Sequence, residues 1–92
     1  MSKEYTITDY TYAAAKKYGY KVYPSKKRFK KLDVYDASSN KYIMSIGDNR
    51  YDDFPTYLKK YGKEYANERK RLYYARHTRD SLGEELAKKL LW

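Results

Sequence analysis

Lys26, Lys27, Arg28, Lys30 and Lys31 crowd together with only Phe29 among them, and further along Arg69, Lys70, Arg71, Arg76 and Arg79 are interleaved with Leu72, Tyr73 and Tyr74. Cations at this density can neutralise successive phosphates, while phenol rings beside them stack on bases or sugars. A protein-facing reading stands next to it, because Tyr and Arg are enriched where two protein surfaces meet. Both runs also have a plainer reading. A basic block keeps a loop or strand edge from aggregating. On a helix, the stems of Arg69 and Arg76 can cover the edge of a core, or their heads can pair with Glu64, Glu68 and Asp80.

His77 is the single histidine. No Ser, Cys or carboxylate stands at a spacing that would make it a general base, so a structural role is expected and no catalytic residue is assigned. Asp48, Asp52 and Asp53 surround Arg50 but lack the spaced ligands and closing glutamate of a calcium loop, so capping and ion pairing are expected of them. With no cysteine and one histidine, thiol, disulfide and common zinc chemistry have no residues to work with. No cofactor, metal or small-molecule substrate is expected, and the chain reads as a binding protein that is not an enzyme.

Fourteen of the 92 residues are tyrosine, and 21 lysines and arginines against 12 acids leave a net charge of +9. The excess is uneven, +6 over residues 1–46 and +3 over residues 47–92. A phenol couples a large apolar area to one hydroxyl and loses little rotamer freedom when fixed. Leu, Ile, Val and Phe together number only fourteen, and a chain this short hides roughly 60–65% of its unfolded surface. So small an interior cannot take every ring, and some tyrosines are expected outside, available to a partner. Trp92 follows Leu90 and Leu91, and its indole either closes over the core of its own chain or plugs a neighbour's pocket.

Low aliphatic content with high net charge is also a signature of disorder. Against it stand the periodic aromatics and the near absence of low-complexity sequence. A charged segment such as Met1 to Glu4 is expected to fray unless something holds it. The longest apolar runs are a few residues, far from the ~20 that a membrane span requires, and the start of the chain lacks the apolar stretch of a signal peptide. No membrane span is expected, and the chain reads as soluble.

The elements that must position these side chains make a single α+β domain over residues 1–92. Residues 1–19 hold a short N-terminal helix, 20–46 a three-stranded antiparallel sheet, and 52–92 two to three helices expected to cover one sheet face. Thr8 and Asp9 open the first helix, Ala13 to Ala15 favour it, and Gly19 stops it. Strands are expected over Tyr20 to Tyr23, Phe29 to Asp36 and Lys41 to Ile46, with Leu32, Val34, Tyr42, Met44 and Ile46 on the core side. Ala37 to Asn40 supply the turn of the second hairpin, and Gly47 to Arg50 a loop. Asp52 or Asp53 caps a helix that accepts Pro55 in its first turn and ends near Gly62. A helix from Lys63 to about Arg76 follows, with Tyr65, Leu72 and Tyr73 on one side beside Ala66. Ser81 and Glu84 match a capping box for a last helix whose stripe is Leu82, Leu86 and Leu90.

Three stretches form an ordered set: Ile46 to Tyr57 with its Gly47-Asp48-Asn49-Arg50-Tyr51-Asp52-Asp53-Phe54 centre, Arg69 to His77 with Tyr73 and Arg76-His77, and Ala87 to Leu90-Leu91-Trp92. In order and ending, the set resembles a family of small uncharacterised proteins of large double-stranded DNA viruses, the algal-virus group especially. The likeness covers about half of the chain, from residue 41 onward, and brings no functional residues with it. It implies a virion setting, with host cytoplasm or nucleus during assembly, where small basic aromatic-rich proteins serve as minor capsid components or package the genome. The expected function is a non-enzymatic virion structural protein, a minor capsid component bridging larger subunits through Tyr and Arg contacts. The alternative is a sequence-nonspecific nucleic-acid-binding protein of the viral core, with double-stranded DNA as partner. The candidate contact residues are Lys26, Lys27, Arg28, Lys30, Lys31, Arg69, Lys70, Arg71, Tyr74, Arg76 and Trp92.

Overall fold

The computed structural model describes residues 5–79 and 81–92. The expectations placed on Met1 to Glu4 and on Asp80 lie outside the described residues. Helix α1 (Asp9–Tyr18) starts where the Thr8 hydroxyl accepts from the Thr11 N–H, and it ends where Gly19 turns left-handed at φ 82°. Strands β1 (Tyr20–Pro24), β2 (Lys30–Asp36) and β3 (Tyr42–Asp48) follow as an antiparallel sheet in the order β1-β2-β3. Asp36 fixes the second hairpin by accepting 2.8 Å bonds from the hydroxyls of Ser38 and Ser39 and from the Ser39 N–H. Those bonds to its charged form hold the carboxyl down at about 2. Helix α2 (Phe54–Tyr61) carries Pro55 in its first turn under an Asp53 cap, and Gly62 separates it from α3 (Lys63–Arg76). Ser81 caps α4 (Leu82–Leu90) by accepting from the Glu84 N–H at 3.2 Å.

One sheet face makes the core. Val22, Leu32, Val34 and Ile46 turn toward α1 and α4, which contribute Ala15, Leu86 and Leu90, while Ile7 and Leu91 close the cluster. Thr11 is fully buried in it, and its hydroxyl donates to the Leu90 carbonyl at 2.8 Å, so the polar atom is not stranded and α1 is tied to the end of α4. Helices α2 and α3 pack mainly on each other; it is α1 and α4 that cover the sheet, a division of labour the sequence pattern does not announce.

Three further details differ from expectation. β3 continues through Gly47 to Asp48, where a loop was expected, because Gly47 reaches φ 79° and lets Leu91 lie against the strand. The register slips between Val34 and Tyr35: Val34 faces Met44 but Tyr35 faces Tyr42. The extra residue, Ile43, turns Tyr42 off the expected core side and onto the opposite face, where its hydroxyl meets Ser45. Leu82 is 51% exposed and leaves the apolar stripe to Leu86 and Leu90, because the first turn of α4 approaches Met44 through Gly83.

Candidate binding cleft and tyrosine surface

The basic block does not act as one patch. Lys26, Lys27, Arg28 and Lys30 are exposed, but Lys31 is buried and is no contact residue. Strand alternation puts Lys31 opposite Leu32, and there its ammonium meets Asp53 at 2.9 Å. The other carboxylate oxygen caps α2, accepting from the Thr56 N–H and hydroxyl at 3.2 and 2.7 Å. Tyr5 adds a third partner, donating its hydroxyl to Asp53 at 2.5 Å. Burial, followed by this bond and the charge of Asp53, pushes the Tyr5 phenol far up from its ordinary value. The neighbouring carboxylates are also spent on pairing, as expected of them: Asp48 with Arg50 at 2.7 Å and Asp52 with Lys60 at 3.2 Å. The Arg50 bond holds Asp48 down at about 2.

On α3 the cations lie against rings and acids. Arg69 sits 5.4 Å from the centre of the Tyr57 ring, its stem half-buried, and Lys70 sits 5.0 Å from that of Phe54. Glu68 is taken by Arg71 at 2.6 Å, while Arg76 is exposed. Tyr74 donates to the Lys88 carbonyl at 3.4 Å and bridges α3 to α4. Trp92 is taken up by its own chain: it stacks on Tyr73 at 4.4 Å and 12°, with Tyr57 6.0 Å away. His77 stacks on Tyr73 as well, at 3.9 Å and 19°, with Nδ1 3.0 Å from the Tyr73 carbonyl.

These arrangements frame a cleft of about 650 Å³ between the end of β3, α3 and the start of α4. It joins the two basic runs, with Lys30 on one wall and Arg69 and Arg76 on another. Gly47 and Asp48, Tyr73 with Arg76 and His77, and Leu91 with Trp92 all line it, so the three motif stretches meet there. Two buried polar atoms at the cleft, Nε of Arg69 and Oε2 of Glu84, have no hydrogen-bond partner among the described residues. Burial, and then the charge of Glu84, pushes the Tyr73 phenol up to about 12. Glu84 was legible only as a capping residue; its second side, turned into the cleft, has no signature in local spacing. Chemically the cleft offers an unfilled donor on Arg69 and an unfilled acceptor on Glu84, with cations and carboxylates both on its walls, a set suited to a polar group that both accepts and donates.

None of the fourteen tyrosines is buried, and nine are more than a third exposed. One group sits on the hairpin of α2 and α3, where Leu58, Tyr61 and Tyr65 are 40%, 59% and 45% exposed and the two rings lie 4.7 Å apart. A second crosses the open part of the sheet face opposite the core, one ring from each strand: Tyr23 lies 5.4 Å from Tyr35, and Tyr35 lies 5.5 Å from Tyr42. Here Lys27 donates to the Tyr42 hydroxyl at 2.6 Å, that hydroxyl shares a 2.7 Å bond with Ser45, and Ser45 donates to Asp33 at 2.5 Å. The Lys27 bond, and then Ser45, draws the Tyr42 phenol below its ordinary value. No protein-family model, curated protein or solved structure matches the chain.

Proposed function

We propose that the chain is a non-enzymatic structural protein of a virus particle, a minor capsid component that bridges larger subunits. The observation that carries this reading is the placement of the tyrosines: none is buried, although the chain holds fourteen. Rings kept at the surface beside cations are the material of interface anchors, since Tyr and Arg dominate the residues whose truncation costs most binding energy. The hairpin of α2 and α3 is the part best placed for such an anchor, because Leu58, Tyr61 and Tyr65 form an exposed apolar group, with exposed Lys59, Lys60 and Lys63 next to them along the chain. The virion setting rests on the resemblance of the three motif stretches.

The test is fractionation of purified particles under mild disruption, with crosslinking to identify neighbours. The protein is expected to stay with shell subunits and to crosslink through the hairpin, and Tyr61→Ala with Tyr65→Ala should abolish its incorporation. Recovery with the genome, released by moderate salt, would overturn the capsid reading in favour of a nucleic-acid-binding core protein.

A further inference from the structure

We infer that the open part of the sheet face opposite the core, beyond the end where Lys31 is buried, is a binding site for single-stranded nucleic acid, with Tyr23, Tyr35 and Tyr42 as the stacking platform. The inference goes beyond the capsid reading and does not rest on it, because it concerns a different set of residues from the hairpin. With α1 and α4 on the core face, the other face keeps Tyr23 51% and Tyr42 45% exposed, and Tyr35 half-buried between them. The rings meet edge to face, at 87° and 70°. Such a contact uses at most one face of a ring, so each outer ring keeps a face on which a base can stack. Tyr42 reaches this row only because the register slip beside Tyr35 turns it there.

Charge matches the occupant. Lys26, Lys27 and Arg28 stand exposed in the turn between β1 and β2, with Lys21, Lys30 and Lys41 exposed on or beside the strands. Two acids stand among them and keep their charge, Asp33 held by Ser45 and Asp36 by Ser38 and Ser39, but the exposed cations outnumber them. Lys27 lies 4.7 Å from the Tyr42 ring centre but bonds to the hydroxyl, so it brings positive charge to the platform from the ring's edge rather than its face. A row of rings across a sheet, edged with cations, suits unpaired bases and a phosphate backbone; a duplex keeps its bases stacked on each other and has no faces to offer.

The test is fluorescence anisotropy with labelled oligo-dT and oligo-U of about 12 nucleotides, within the usual single-strand site sizes, and with a duplex of equal length, at low and moderate salt. Single strands should bind more tightly than the duplex. Tyr23→Ala with Tyr42→Ala should weaken binding by at least about tenfold, while Tyr23→Phe with Tyr42→Phe should retain it. Lys26→Gln with Lys27→Gln should lower affinity and flatten its salt dependence. Tyr61→Ala with Tyr65→Ala should leave it unchanged. Because Tyr42 also holds Ser45, Tyr23→Ala alone serves as a second variant, with melting curves checking the fold of each. Absence of binding at low salt, equal affinity for duplex and single strand, or ring variants that bind as wild type would each overturn the inference.

Discussion

The ammonium of Lys31 and the carboxylate of Asp53 form an ion pair at 2.9 Å whose side chains are 4% and 0% exposed. The pair couples a central strand to the cap of α2, and Tyr5 shares the same oxygen. Asp53→Ala leaves a buried ammonium unpaired and should cost about 3–5 kcal/mol in urea unfolding. Replacing both partners, Lys31→Met with Asp53→Asn, keeps a capping side chain and removes the stranded charge. The double variant should therefore be more stable than Asp53→Ala.

Trp92 joins both helices of the hairpin to the rest of the fold through Tyr57 and Tyr73. The indole is only partly buried, so Trp92→Ala should cost less than the roughly 3–5 kcal/mol of a fully buried aromatic. The loss should be local: faster amide exchange in α2 and α3, with the core strands Leu32 to Val34 still protected. Equal acceleration everywhere would show that the hairpin and the sheet open as one unit.

Gly47 and Gly19 both adopt positive φ, 79° and 82°. A β-carbon on Gly19 meets nothing within 4 Å, whereas one on Gly47 would stand 2.8 Å from Leu91 Cδ1 and 3.0 Å from Lys31 Cβ. Gly19→Ala should cost only the backbone strain of about 1–2 kcal/mol. Gly47→Ala adds overpacking of about 1–3 kcal/mol, and thermal melts of the two should differ accordingly.

Alkaline pH should loosen the fold through its tyrosines. Tyr73 is raised from 10.0 to about 12, chiefly by burial, and Tyr5 is raised as well. A raised phenol keeps its proton in the folded state and releases it more readily when unfolded. Stability is thus fully present below pH 10 and is lost as pH rises toward 12. Tyr73→Phe should reduce the fall in urea midpoint across that window, leaving the parts due to Tyr5, Tyr10 and Tyr74, whose phenols burial also raises.

The helices were legible because their end signals are local: Thr8 and Gly19, Asp53 and Pro55, Gly62, and Ser81 all act within one turn. What escaped was set by partners distant in sequence. Lys31 in a run of cations reads as solvated, and its burial depends on Asp53, 22 residues away. Tyr42 fits an alternating strand until the slip at Tyr35 reverses its face, and no residue type nearby demands that slip. The cleft depends on how α3 meets α4 and β3, so Arg69 and Arg76 could be named as candidates but not joined to Lys30 and Glu84.

The irregularity in β3 also bears on how many copies can crowd together. A three-stranded sheet has two outer strands, and each carries a feature that spoils templated growth of further strands: the bulged stretch around Ile43 in one, and Pro24 with charged Lys21 in the other. Molecules held at high local density should therefore resist fibril formation despite their abundance of aromatic side chains.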